Sequence, residues 1–236
     1  MILIKKMPPP LELEELKKEA EKQKLSDTEG YNKLRNPLKK QVREALMQEQ
    51  GHLCAYCMCR IPDEQILEND QNVSRVCIEH WQARSQKNVT GENKGLDYNN
   101  MLAVCSGNVN VRKKRYYTCD RKRGDRPLTV NPLVAATLET IFYHEDGRIE
   151  SRDEAINRDL QETLNLNCCD GGMTLPTNRK KALDSMQEEL YKLGGDFYEN
   201  CQEQLAFWTE EADPKTPYVG IIISWLKESL KSFPKA

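Results

Sequence analysis

The chain is poor in histidine, with three in 236 residues, and in bulky aromatics, with three Trp and four Phe. A catalytic or metal-binding histidine must therefore be His52, His80 or His144, and each can be weighed singly. Long hydrophobic runs are also missing. Nothing approaches the ~18 apolar residues of a membrane span, and the longest apolar stretch lies within Tyr218–Leu226. The first ten residues have neither the apolar core nor the cleavage site of a signal peptide, so a soluble, cytoplasmic protein is expected. A net charge of −2 excludes a globally basic polyanion binder. What the chain has in excess is cysteine. Nine thiols in a reducing compartment need a role other than disulfides, and metal binding is the first to consider.

Charge is unevenly spread. Eight basic residues and two acids fall between Val111 and Arg126, whereas eight acids and two lysines fall between Met186 and Lys215. A basic patch on a near-neutral protein is the pattern of local phosphate contact, although solvated faces of either sign also keep a protein soluble.

Apolar periodicity predicts a helix from Leu11, with Leu13, Leu16 and Ala20 on one face, and another from Asn36-Pro37 towards Gly51. Residues 59–76 read as a polar loop, Val76–Ile78 as a short strand, and Gln82–Asp97 as an exposed loop. Asn99–Cys105 reads as the start of a short helix. Beyond Pro127, a hairpin is expected around Asp146-Gly147, then helices over Asp153–Leu164, Arg179–Leu193, Asp196–Trp208 and Val219–Leu230. The expected class is α+β and mainly helical. Its organisation is an amino-terminal helical segment (1–50), a zinc-stapled core (51–130) and a carboxy-terminal helical region (131–236).

Cys54-x-x-Cys57 can present two thiolates to one tetrahedral zinc. Cys105 and Cys119 are the natural second pair, with Cys77 and Cys59 as substitutes. Cys168, Cys169 and Cys201 lie in helix-rich sequence and read as small buried hydrophobes. A redox role for Cys54 and Cys57 would want a preceding strand, whereas a helix precedes them. Among the histidines, His144 sits beside aromatics and His52 beside the cysteine knuckle. His80 follows Glu79 at the end of an apolar run, so a carboxylate ligand for a hard cation and a base of near-neutral pKa stand side by side.

The order Cys54-x-x-Cys57, Glu79-His80, Asn100 five residues before Cys105, then Cys119-Asp120 resembles the HNH (ββα-metal) endonucleases. Within that family it looks most like PtuB, the nuclease subunit of Septu antiphage systems and related retron cassettes. The match covers about residues 54–126. The resemblance implies a ββα-metal centre stapled by structural Zn²⁺ on Cys54, Cys57, Cys105 and Cys119 and wrapped by helices. It implies His80 as general base, Asn100 orienting the His80 ring, and Glu79 and Asp120 holding a catalytic Mg²⁺ or Mn²⁺. Arg84, Arg112, Lys114, Lys122 and Arg123 would hold the nucleic-acid backbone. The implied activity is phosphodiester hydrolysis, of DNA before RNA, in antiphage defence beside a PtuA-like ATPase. The alternative is a zinc-stapled adaptor that binds nucleic acid or protein without chemistry. A plain zinc scaffold has no need of Glu79, His80, Asn100 and Asp120 in this order.

Overall fold

The structure is a computed structural model that describes residues 1–62, 65–68, 71–74, 76–86, 92–108, 113–169, 174–210 and 213–233. The chain begins with three helices. In α1 (Leu11–Lys22), Leu13 and Ala20 face inward, while Glu12 and Glu14 at the start and Lys22 at the end oppose the helix dipole. α2 (Asp27–Lys33) is closed by a reciprocal box in which Ser26 caps Glu29 N–H and Glu29 caps Ser26 N–H. That Ser26-x-x-Glu29 signature was legible, yet the periodicity reading passed over so short a helix. α3 (Leu38–Glu49) starts after Pro37 and buries Val42, Leu46 and Met47.

Among the described residues three antiparallel strand pairs follow. β1 (Gln65–Glu68) pairs with β2 (Gln71–Ser74), so a backbone hairpin stands where a polar loop was expected. β3 (Val76–His80) pairs with β4 (Met101–Cys105), setting Val76 opposite Cys105 and His80 opposite Met101. The expected helix over Asn99–Cys105 is instead a single 3₁₀ turn at Tyr98–Asn100 leading into β4. Five apolar residues are too few to separate helix from strand by period; pairing with β3 decides it, and all five bury. The outer edge of β4 is closed by a side chain. The Gln50 amide donates to Ala103 O and accepts from Ala103 N–H, both at 2.8 Å.

Downstream come α4 (Cys119–Arg123), α5 (Ala135–Leu138), and β5 (Ile141–Tyr143) paired with β6 (Ile149–Ser151). α6 (Glu154–Arg158) runs into a π turn over Asp159–Thr163. α7 (Leu175–Lys192), α8 (Phe197–Thr209) and α9 (Val219–Lys231) complete the described chain. The main core joins Leu13, Leu34 and Leu46 of the first helices to Tyr56, Leu102, Val130 and Leu160. A second core of Leu183, Leu190, Cys201, Ile222 and Leu226 holds α7, α8 and α9 together. Among the described residues, no helix is long and apolar enough to cross a membrane.

Candidate functional site

The cysteine knuckle is built by a helix end. α3 stops at Gly51, whose φ of +59° is the left-handed conformation glycine adopts without strain. The chain then turns through Cys54–Cys57, and Ala55 N–H donates to Ala103 O at 3.1 Å, tying the knuckle to β4. β4 ends on Cys105. Cys119 opens α4, its N–H held by Leu164 O at 2.9 Å. Cys54, Cys57, Cys105 and Cys119 are all buried, with sulphurs within 4.8 Å of one another. The Cys54–Cys119, Cys57–Cys105 and Cys105–Cys119 separations are 3.8, 3.8 and 3.7 Å.

A tetrahedron of Zn–S bonds of ~2.3 Å has sulphurs about 3.8 Å apart, so this donor set fits zinc. It does not fit disulfides, whose S–S bond is about 2.05 Å. Thiol hydrogen bonds from Cys105 and Cys119 lower the Cys57 pKa to about 6. Cys119 is pushed well up by its bonds to Cys105 and Cys54. Thiols sharing protons in this way suit replacement of those protons by one cation. Neither Cys59 nor Cys77 is part of the four-thiol group, although the Cys105, Cys54 and Cys57 thiols push the Cys59 pKa well up. Of the remaining cysteines, Cys168 and Cys201 are buried as expected. Cys169 is exposed, because it lies just beyond the turn that buries its neighbour.

β3 ends in the Glu79-His80 pair, both almost wholly buried. The His80 Nε2 meets Gly95 O at 3.0 Å, which places the proton on Nε2 and leaves the Nδ1 lone pair open. Burial and the nearby Arg84 and Arg123 charges outweigh the Gly95 bond and lower the His80 pKa to about 4. The ring is therefore neutral at physiological pH. The Tyr31 ring meets it edge-on with centroids 4.8 Å apart.

The segment bearing Gly95 was expected to be exposed, yet Asn93 and Leu96 are buried. The N-terminal helices grip it. Asn93 Nδ2 donates to Leu25 O and Ser26 O, and Lys94 N–H to Asp27 Oδ1. A Cβ on Gly95 would lie 1.9 Å from Asp27 O, so only glycine allows this approach.

Glu79 accepts from Tyr56 Oη at 3.1 Å and from its neighbour His80 N–H at 3.1 Å, and forms an ion pair with Arg123. The Asp120 charge also acts on its carboxyl. Burial, followed by the Asp120 charge, raises its pKa to about 8 against the pull of Arg123. Two carboxylates driven together resist double ionisation, and a divalent cation removes that penalty. The pair fits a hard cation that takes its remaining ligands from water or phosphate. Among the described residues only the four cysteines form a cluster of three or more metal-binding side chains.

Two expectations need correcting. Among the described residues Asn100 makes no hydrogen bond to the His80 ring. Its amide accepts from Gln82 N–H at 2.7 Å and donates to Gln82 O and Lys94 O at 3.0 Å each. It therefore ties the turn after His80 to the segment that carries Gly95, with both amide hydrogens committed there. Arg123 is not a surface phosphate contact, being 2% exposed. α4 turns it inward, where it pairs with Glu79 and donates to His80 O (2.9 Å), Trp81 O (2.5 Å) and Arg126 O (2.8 Å).

The other basic residues behave differently. Arg84 stacks on Tyr31 at 4.2 Å. Lys114 and Lys122 line a surface hollow of about 600 Å³ with Tyr117, Arg121, Arg126 and Glu162. Arg112 lies outside the described residues. His52 and His144 stand apart, each 3.2 Å from a carboxylate, Asp213 and Glu150 respectively. Sequence reasoning missed Tyr31 and Gly95, which carry no motif of their own.

No family model matches the chain. Among curated proteins it is similar to an Escherichia coli protein named "Retron Ec83 putative HNH endonuclease", with 26% identity over 165 residues. The likeness covers 56% of this chain, and the chain spans 61% of that relative's length.

Proposed function

We propose that the chain is a metal-dependent HNH-type endonuclease that hydrolyses nucleic-acid phosphodiester bonds. The observation that carries this reading is the state of His80: a neutral, buried imidazole with Nε2 held by Gly95 O, beside the Glu79–Asp120 carboxylate pair. The β3–β4–α4 order around it and the HNH-named relative support the same reading.

In this mechanism His80 Nδ1 takes a proton from water as the water oxygen bonds to phosphorus. Glu79 and Asp120 would hold Mg²⁺ or Mn²⁺, which when bound stabilises charge on the phosphate and the departing oxygen. Arg123 and Tyr56 fix the Glu79 carboxylate, and Asn100 fixes the turn between His80 and Gln82. The four cysteines would hold structural Zn²⁺. Arg84, Lys114 and Lys122 would contact the backbone. DNA is the preferred substrate in this reading, and the function is that of a PtuB-type effector in antiphage defence, beside a PtuA-like ATPase.

The test is incubation of purified protein, alone and with its ATPase neighbour, with plasmid DNA and total cellular RNA in Mg²⁺ or Mn²⁺. Cleavage by wild type that disappears in His80→Ala supports the reading, and the polymer cut names the substrate. Equal cleavage by both proteins removes His80 from its role. Zinc-loaded, folded protein that cuts neither polymer under any condition returns the case to a non-catalytic adaptor.

A further inference from the structure

Arg35, Lys39 and Arg43 recur every four residues, the spacing that lines side chains along one helix face. The helical geometry reaches back to the first of them, since Lys39 N–H donates to Arg35 O at 2.8 Å. Lys39 Nζ lies 5.0 Å from the centre of the Tyr31 ring, and the Arg84 guanidinium lies 4.2 Å from the same centre. That ring meets His80. Cations from two distant segments thus converge on the tyrosine beside the imidazole.

No acid stands within ion-pair distance of Arg35, Lys39, Arg43 or Arg84 among the described residues. Along α3, Lys40 pairs with Glu44 at 3.5 Å and Glu49 pairs with Lys6, neither of them beside Tyr31. The acidic groups whose charge reaches Tyr31 are Cys77 and Asp120. Burial, then the Arg43, Arg35 and Arg84 charges, lowers the Lys39 pKa. Like charges gathered without counter-charge create a strongly positive local potential, which draws a polyanion. The hollow lined by Lys114, Arg121, Lys122 and Arg126 is a different basic surface, built from the segment around α4.

We infer that Arg35, Lys39, Arg43 and Arg84 form a phosphate track that receives the nucleic-acid backbone on the Tyr31 side of His80. The inference rests on the nuclease reading for its ligand. It assigns the N-terminal helices a task in substrate holding besides gripping the Gly95 segment.

The test is fluorescence anisotropy with a labelled DNA duplex across a salt series. His80→Ala serves as the parent so that nothing is cut, and Arg35→Ala, Lys39→Ala and Arg43→Ala are added together. Each lost duplex contact lowers the slope of log K against log salt by about 0.9, so three lower it by about 2.7. Between 50 and 200 mM salt the parent should then lose affinity about 40-fold more than the variant. Arg35→Glu provides a second variant at an exposed position, with a slope change of about 1 expected. Zinc content and thermal midpoint verify folding, and Arg35→Lys should restore the parental slope.

A folded variant with unchanged affinity and slope overturns the track. Wild-type cleavage separates the two ideas. Cutting with an unchanged slope sinks the track and keeps the nuclease, whereas salt-sensitive binding through these residues without cutting keeps the track and sinks the nuclease.

Discussion

Arg123→Met removes a buried cation and leaves its surroundings in place. The wild-type guanidinium pairs with Glu79 and satisfies the carbonyls of His80, Trp81 and Arg126. Breaking a buried ion pair from one side costs about 3–5 kcal/mol, because the surviving charge stays desolvated. Each stranded carbonyl adds about 1–3 kcal/mol unless water reaches it. Glu79 has an escape, since burial and the Asp120 charge already raise its pKa to about 8 against Arg123, and losing Arg123 drives it further towards the neutral acid. That escape removes most of the charge penalty, so the stranded carbonyls, partly reached by water, set the expected total at about 3–5 kcal/mol. In a chain of this size the melting temperature should fall by about 6–20 °C, read by calorimetry on zinc-loaded protein. Glu79→Gln added to Arg123→Met should recover part of the loss, since a neutral amide has no charge to strand. A midpoint for Arg123→Met within about 2 °C of wild type would refute the clamp and return Arg123 to the surface role its sequence suggests.

Three other outcomes are expected. Gly95→Ala should keep its zinc, lose about 1–3 kcal/mol of stability and lose most cleavage, because its Cβ collides with Asp27 O and moves the carbonyl that holds His80; wild-type cleavage by this variant would count against that bond. Cys119→Ser or a strong chelator should remove the metal and melt the α4 end of the core, followed by metal analysis and circular dichroism, since a structural zinc contributes folding energy directly; full metal content in Cys119→Ser would point to Cys59 as a replacement ligand. Asn100→Ala should cost about 1–3 kcal/mol and loosen the turn at Gln82, seen as faster amide exchange there; unchanged exchange at Gln82 would contradict its role as a tie.

Some of this was legible in sequence because it rests on local chemistry. The Cys54-x-x-Cys57 spacing forms a turn by itself, and the helices over the last third follow apolar periodicity, as α7, α8 and α9 do. Asp146-Gly147 marks the turn between β5 and β6 through the positive φ of its glycine. The adjacency of Glu79 and His80 is covalent, so a candidate acid and base could be named before any fold.

Tertiary structure decided the rest, because the deciding partners lie far apart in the chain. Whether Met101–Cys105 becomes helix or strand depends on β3 lying alongside it. Arg123 stands in a run of exposed basic residues, and only the inward turn of α4 onto Glu79 separates it from them. The proton on His80 is positioned by Gly95, and Gly95 by Asp27 of α2; no local pattern links those three residues. Sequence by itself determined which donors the chain owns and how they are spaced. Only packing determined which are buried, because burial strips water from a charge and makes its nearest distant neighbour set its role.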